Sequence, residues 1–150
     1  MARHSRIVAG LAEGYLRAGR TDEAIDLAGR ALDLSRAQKE RSIEAWTLRL
    51  LGEIASQRDP HEVAAAERDY LQALAGADEL GMRPLSAHCH LGLGKLYRRA
   101  AQRREAKEHL AIAVRLFREM DMAFYLKPAE AELDEVLRTP AGPRPMDDLS

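Results

Sequence analysis

Residues 11–32, LAEGYLRAGRTDEAIDLAGRAL, align without a gap on residues 93–114, LGKLYRRAAQRREAKEHLAIAV. Leu11 falls on Leu93, Tyr15 on Tyr97, Ala24 on Ala106 and Ala31 on Ala113. A middle copy starts at LLGEIASQRDP. It has Leu51-Gly52 where the others have Leu11-Ala12 and Leu93-Gly94, then Ala66, Tyr70 and Ala73 after a longer turn. The alanines at 24, 66 and 106 recur about every 40 residues. Such a period restricts a chain to stacked units, none of which can bury its apolar face alone.

Apolar spacing makes each unit helical. Ile7, Val8, Leu11, Tyr15 and Leu16 follow the i, i+3, i+4, i+7 pattern, as do Ala24, Ile25, Ala28, Ala31 and Leu32. Leu48, Leu51, Ile54 and Ala55 continue it, then Val63, Ala66, Tyr70, Ala73 and Leu74. Only 5% of residues are aromatic against 46% hydrophobic, so Leu and Ala, the best helix formers, must build the core. Breakers predict the boundaries: Thr21 as a cap with Asp22 and Glu23 behind it, Asp59-Pro60 with Glu62 opening a helix, and Gly81 with Pro84 as a stop and restart. Residues 101–104 are a weaker break, without Gly or Pro. The predicted helices run over about residues 5–18, 21–37, 40–57, 60–80, 84–100, 103–119 and 123–138. Pro128 makes the last one start near Lys127 or kink there. Residues 139–150, TPAGPRPMDDLS, are expected to form a disordered tail after a single domain of residues 1–138.

Leu-Gly and Tyr on a first helix, then Ala, a large residue and Ala on a second, resemble the tetratricopeptide repeat (TPR). The resemblance implies an all-α, right-handed TPR-like superhelix of three helical hairpins plus a C-terminal capping helix. The repeat is longer than the family's usual unit. Small residues at Ala12, Gly52 and Gly94 would let the helices of a hairpin touch. More narrowly, residues 81–126 resemble the C-terminal TPR region of large bacterial proteins that also carry class III adenylate/guanylate cyclase and AAA-type ATPase domains. Neither domain fits in 150 residues. The resemblance therefore implies a scaffold in bacterial signalling, with two alternatives: a non-catalytic fragment of such a cyclase–ATPase protein, or the TPR arm of a transcription regulator.

Composition narrows the partners. A net charge of −1 lacks the basic excess of a nucleic-acid binder. No stretch approaches the roughly 18 apolar residues of a membrane span. Glu13 and Arg17 interrupt the N-terminal apolar run too early for a signal sequence. The single cysteine, Cys89, cannot form an internal disulfide, which suits a reducing cytoplasm. The first helix has no visible cap, which leaves open self-association through it or stacking on a missing upstream repeat.

The stretch AHCHLGLGKLYRRA, residues 87–100, imitates several chemistries. His88 and His90 are two apart, so on a helix they point about 200° apart and cannot share an ion. Gly94-Lys95 is followed by Leu96, and no strand precedes it, so no phosphate loop forms. His61-Glu62 begins HExxH, but residue 65 is Ala. Gly94 is explained by helix contact, whereas Gly92 costs about 1 kcal/mol with no visible return. His90 is expected to pack. No catalytic, cofactor or metal residues are assigned, and the chain is not expected to be an enzyme.

On the TPR resemblance, the concave surface would be lined by Arg6, Glu13, Leu16 and Arg17, by Trp46, Arg49, Glu53 and Gln57, and by His88, Leu91, Lys95, Arg98 and Arg99. The candidate protein-binding residues are Arg17, Trp46, Arg49, Glu53, His88, Lys95, Arg98 and Arg99. They suit a protein or an acidic peptide segment. The family's carboxylate clamp is missing, since its positions hold Ala9, Glu13, Leu50, His88 and Gly92.

Overall fold

The computed structural model describes residues 2–58 and 62–138, which form seven α-helices and no strand. These are α1 (Ala2–Arg17), α2 (Thr21–Ala37), α3 (Arg41–Arg58), α4 (Val63–Leu80), α5 (Arg83–Arg99), α6 (Arg103–Glu119) and α7 (Ala123–Arg138). The expected tail, residues 139–150, lies outside the described residues, as does the Asp59-Pro60 helix start. α4 begins at Val63, later than the sequence pattern suggests, and the Glu62 side chain makes no capping hydrogen bond.

The turns share one construction. Gly19, Lys39, Gly81, Ala101 and Asp121 all adopt left-handed φ values between 58° and 79°. The residue after each one donates its N–H to a carbonyl five positions back. Arg20 bonds Tyr15, Glu40 bonds Ser35, Met82 bonds Ala77, Gln102 bonds Tyr97 and Met122 bonds Phe117, at 2.8–2.9 Å. This is the Schellman arrangement. The same residue's carbonyl then accepts the first helical hydrogen bond of the next helix, as from Ala24 to Arg20 and from Ala106 to Gln102. One residue thus closes one helix and opens the next, and Arg20, Met82 and Gln102 in that place make no side-chain cap bond. Arg20 therefore occupies the cap position expected for Thr21, which is already helical, and it makes no side-chain cap bond.

Each helix packs on its chain neighbours. In addition α1 meets α3, α3 meets α5 and α5 meets α7, whereas the even-numbered helices do not approach one another. The stack is therefore tighter on its odd-helix side. Small residues set the spacing. Ala12, Ala24, Ala28, Ala66, Ala73, Ala106 and Ala113 are fully buried. A Cβ at Gly94 would overlap Leu110, so that glycine lets α5 and α6 close on each other. Gly92 is explained by a contact between units: the Tyr70 ring from α4 lies where its Cβ would be, and the same ring's Cγ comes within 3.0 Å of a Cβ placed on Gly52. Tyr70 thus wedges between α3 and α5. α7 continues through Pro128, its sixth residue, and buries Ala129 and Val136 against the core formed with α5 and α6. No helix among the described residues is long and apolar enough to cross a membrane.

Candidate interaction groove

A groove of about 700 Å³ opens on the odd-helix side. α1 contributes Glu13 and Arg17, and α3 contributes Trp46, Arg49, Glu53, Ser56 and Gln57. α5 adds His88, Leu91, Gly92, Lys95, Arg98 and Arg99, and α7 adds Phe124, Tyr125, Pro128 and Glu132. The Tyr70 wedge reaches it from α4. Residues one or two turns apart on an odd helix share this face, so the helical period itself brings them together.

All eight residues singled out in the sequence line this groove. Their environments differ. Arg17 donates to Glu53 at 2.6 Å and to Glu13 at 3.3 Å. Arg49 donates to Glu53 at 3.0 Å and lies 3.7 Å from Glu13. These four charges tie α1 to α3. The Arg49 side chain is only 8% exposed, its guanidinium covers the Trp46 ring at 4.8 Å, and its buried Nε has no partner. Arg49 is therefore part of the wall, not a free contact for a ligand. Burial by itself pushes the Glu53 carboxyl up. The hydrogen bond from Arg17 and the charges of Arg49, Arg17 and Lys95 more than offset this, and the group sits below its ordinary value.

The other end is less neutralised. Arg98 donates to Glu132 at 2.9 Å, and Arg99 donates to the Ser56 carbonyl at 3.1 Å. Lys95 forms no ion pair among the described residues, and neither does Arg99. Five cationic side chains and three carboxylates line the groove, so it carries excess positive charge at the α5 end. His88 faces in between Phe117 and Tyr125, with ring centroids at 5.2 and 4.5 Å. Burial, and then the Arg49 charge, lower its pKa to about 4, so the ring is neutral at pH 7.

The sequence pattern marks α7 only as a cap and gives no account of its aromatic rim. Phe124 is 80% exposed beside the groove. Its signal was an aromatic pair, Phe124-Tyr125, one repeat beyond the third copy. Leu16, expected on the concave face, is instead buried against Ala24 and Ala28. Arg6 lies outside the main groove. It lines a second cleft of about 310 Å³ with Ala9, Gly10, Ser42, Ile43 and Met82, on the far side of Trp46.

The histidines and the cysteine diverge. His88 enters the groove, and Cys89 is fully buried, its thiol pushed up to about 12 by burial. His90 reaches His109 on α6, Nδ1 to Nδ1 at 2.9 Å with stacked rings. One ring must donate and the other accept, and burial lowers the pKa of both. Among the described residues no group of three or more His, Cys, Asp or Glu is placed to hold a metal ion. No protein-family model matches the chain, and no curated protein matches it.

Proposed function

We propose that the chain is a TPR-like scaffold, a superhelix of three hairpins closed by α7, which binds an acidic segment of a partner protein in the odd-helix groove. One observation carries this reading: a preformed groove draws side chains from α1, α3, α5 and α7 and, among the described residues, leaves Lys95 and Arg99 without an ion pair. Excess positive charge with an exposed aromatic rim favours an acidic segment that also carries apolar side chains. Arg98 would exchange Glu132 for a ligand carboxylate at little net cost, since exposed pairs are weak. The mechanism is contact alone, with no bond made or broken. The setting suggested by the resemblance is assembly or regulation in bacterial signalling.

Cross-linked capture from the source cells tests the proposal, followed by calorimetry with each purified partner. Lys95→Glu/Arg99→Glu should abolish binding. Arg30→Glu on α2 and Arg104→Glu on α6 should leave it intact. Equal affinity for wild type and the groove variant would refute the assignment.

A further inference from the structure

α7 ends beside the basic end of the groove. Arg103, at the start of α6, donates to the Val136 carbonyl at 2.8 Å and to the Leu137 carbonyl at 3.3 Å. Arg98 on α5 donates to Glu132, earlier on α7. The chain therefore leaves α7 at Arg138 at the same end of the stack as Arg98, Arg99 and Arg103. Residues 139–150, TPAGPRPMDDLS, follow and lie outside the described residues. Within them, Met146-Asp147-Asp148-Leu149-Ser150 carries two carboxylates, two large apolar side chains and no cation.

That composition matches the chemistry of the groove. Among the described residues Lys95 and Arg99 have no ion pair, and Leu91, Tyr125 and Pro128 supply apolar lining in the same groove. The distance is within reach. Glu132 lies about 9 Å back along α7 from Arg138. Crossing from α7 to α5 adds about 10 Å. The eight residues 139–146 span up to roughly 26 Å when extended.

We infer that residues 146–150 are a ligand of this chain's own groove: they dock on Lys95 and Arg99 and must be displaced before a partner enters. The inference rests on the reading that the groove takes an acidic segment. Docking within one chain needs little intrinsic affinity. A short tether holds its ligand at an effective concentration of about 1 mM. A segment that alone binds with a Kd of about 0.1 mM then fills the groove about 90% of the time and weakens any competitor about 10-fold. The segment thus sets a threshold that a partner's affinity has to exceed.

Zero-length carbodiimide cross-linking of the full chain tests the contact, because it joins a carboxylate only to an amine that it touches. Tryptic peptides from the monomer should show residues 139–150 joined to Lys95. Lys107 on α6 and Lys127 on α7 are the comparison amines, and neither is among the groove's lining residues. Competition tests the threshold. A fluorescein-labelled peptide of residues 139–150 is titrated with wild type and with Asp147→Asn/Asp148→Asn, and binding is read by fluorescence anisotropy. The variant should bind the peptide about 10-fold more tightly than wild type, and Lys95→Glu/Arg99→Glu added to the variant should abolish binding. No link to Lys95, a link found only between two copies, or links to Lys107 and Lys127 as abundant as that to Lys95 would each overturn the inference. Equal peptide affinity for wild type and variant would overturn it and leave the groove reading standing. Peptide bound by neither chain would overturn it too. The groove reading fails separately, when captured partners bind wild type and Lys95→Glu/Arg99→Glu equally.

Discussion

The Tyr70 ring occupies the space that a Cβ on Gly92 would need. The two residues belong to different repeat units, so this contact sets how closely α5 approaches α3. Gly92→Ala should therefore destabilise the protein by about 1–2 kcal/mol, an overpacking cost that the better helix propensity of Ala offsets only in part. Gly29→Ala on α2, where a Cβ meets nothing within 4 Å, should instead stabilise by about 0.5–1 kcal/mol. Urea denaturation of the two variants checks the contrast.

The left-handed turn residues give a second prediction. Ala101 is exposed and has φ 61°, a left-handed conformation that is costly for a residue with a Cβ. Ala101→Gly should raise stability by about 0.5–1 kcal/mol, while Gly81→Ala, at φ 70°, should lower it by about 1 kcal/mol. Thermal melts of both variants at fixed concentration report the difference.

Acid should act in two stages. His88 has a folded pKa of about 4, below that of an unfolded histidine near 6.5. Between those values the unfolded chain binds more protons, so stability falls as pH drops through this window, by on the order of 1–2 kcal/mol from His88. Glu53 is depressed, so its contribution is present above the usual carboxylate range and is lost as pH falls through its folded value. His88→Gln should shrink the first stage, the lowered His90 and His109 keeping the rest of it, and spare the second, as read from unfolding free energies between pH 7 and pH 3.

Cys89 should be inert in the folded protein. It is fully buried and its thiol is pushed up to about 12, so a thiol reagent at pH 8 finds almost no thiolate. Reaction with an aromatic disulfide should be absent in buffer and stoichiometric in urea. Reaction in buffer at the urea rate would contradict the placement of this residue.

The helices were legible in the sequence because local periodicity determines them. Thr21, Gly81 and the alanines at 24, 66 and 106 marked the units even where the cap itself fell one residue away. Contacts between units were not legible. The reason for Gly92 lies in Tyr70 of the preceding unit. The turn at Ala101 carries no glycine, so its left-handed residue left no trace. The TPR resemblance assigned Arg49 to the groove face but could not show that Glu53, Glu13 and Trp46 enclose it. His109 matches Leu27 of the first unit, so the alignment gave no hint of its pairing with His90.

In this stack an odd helix meets, besides its chain neighbours, only the adjacent odd helices, and α1 has no contact with α7. A linear array of this kind loses its terminal units by fraying, one at a time. A segment lying along the groove would bear on α1, α3, α5 and α7 at once and act as a splint joining the first unit to the last. Occupancy would then convert graded fraying into all-or-none unfolding, and the partner would determine the cooperativity of the fold as well as its stability.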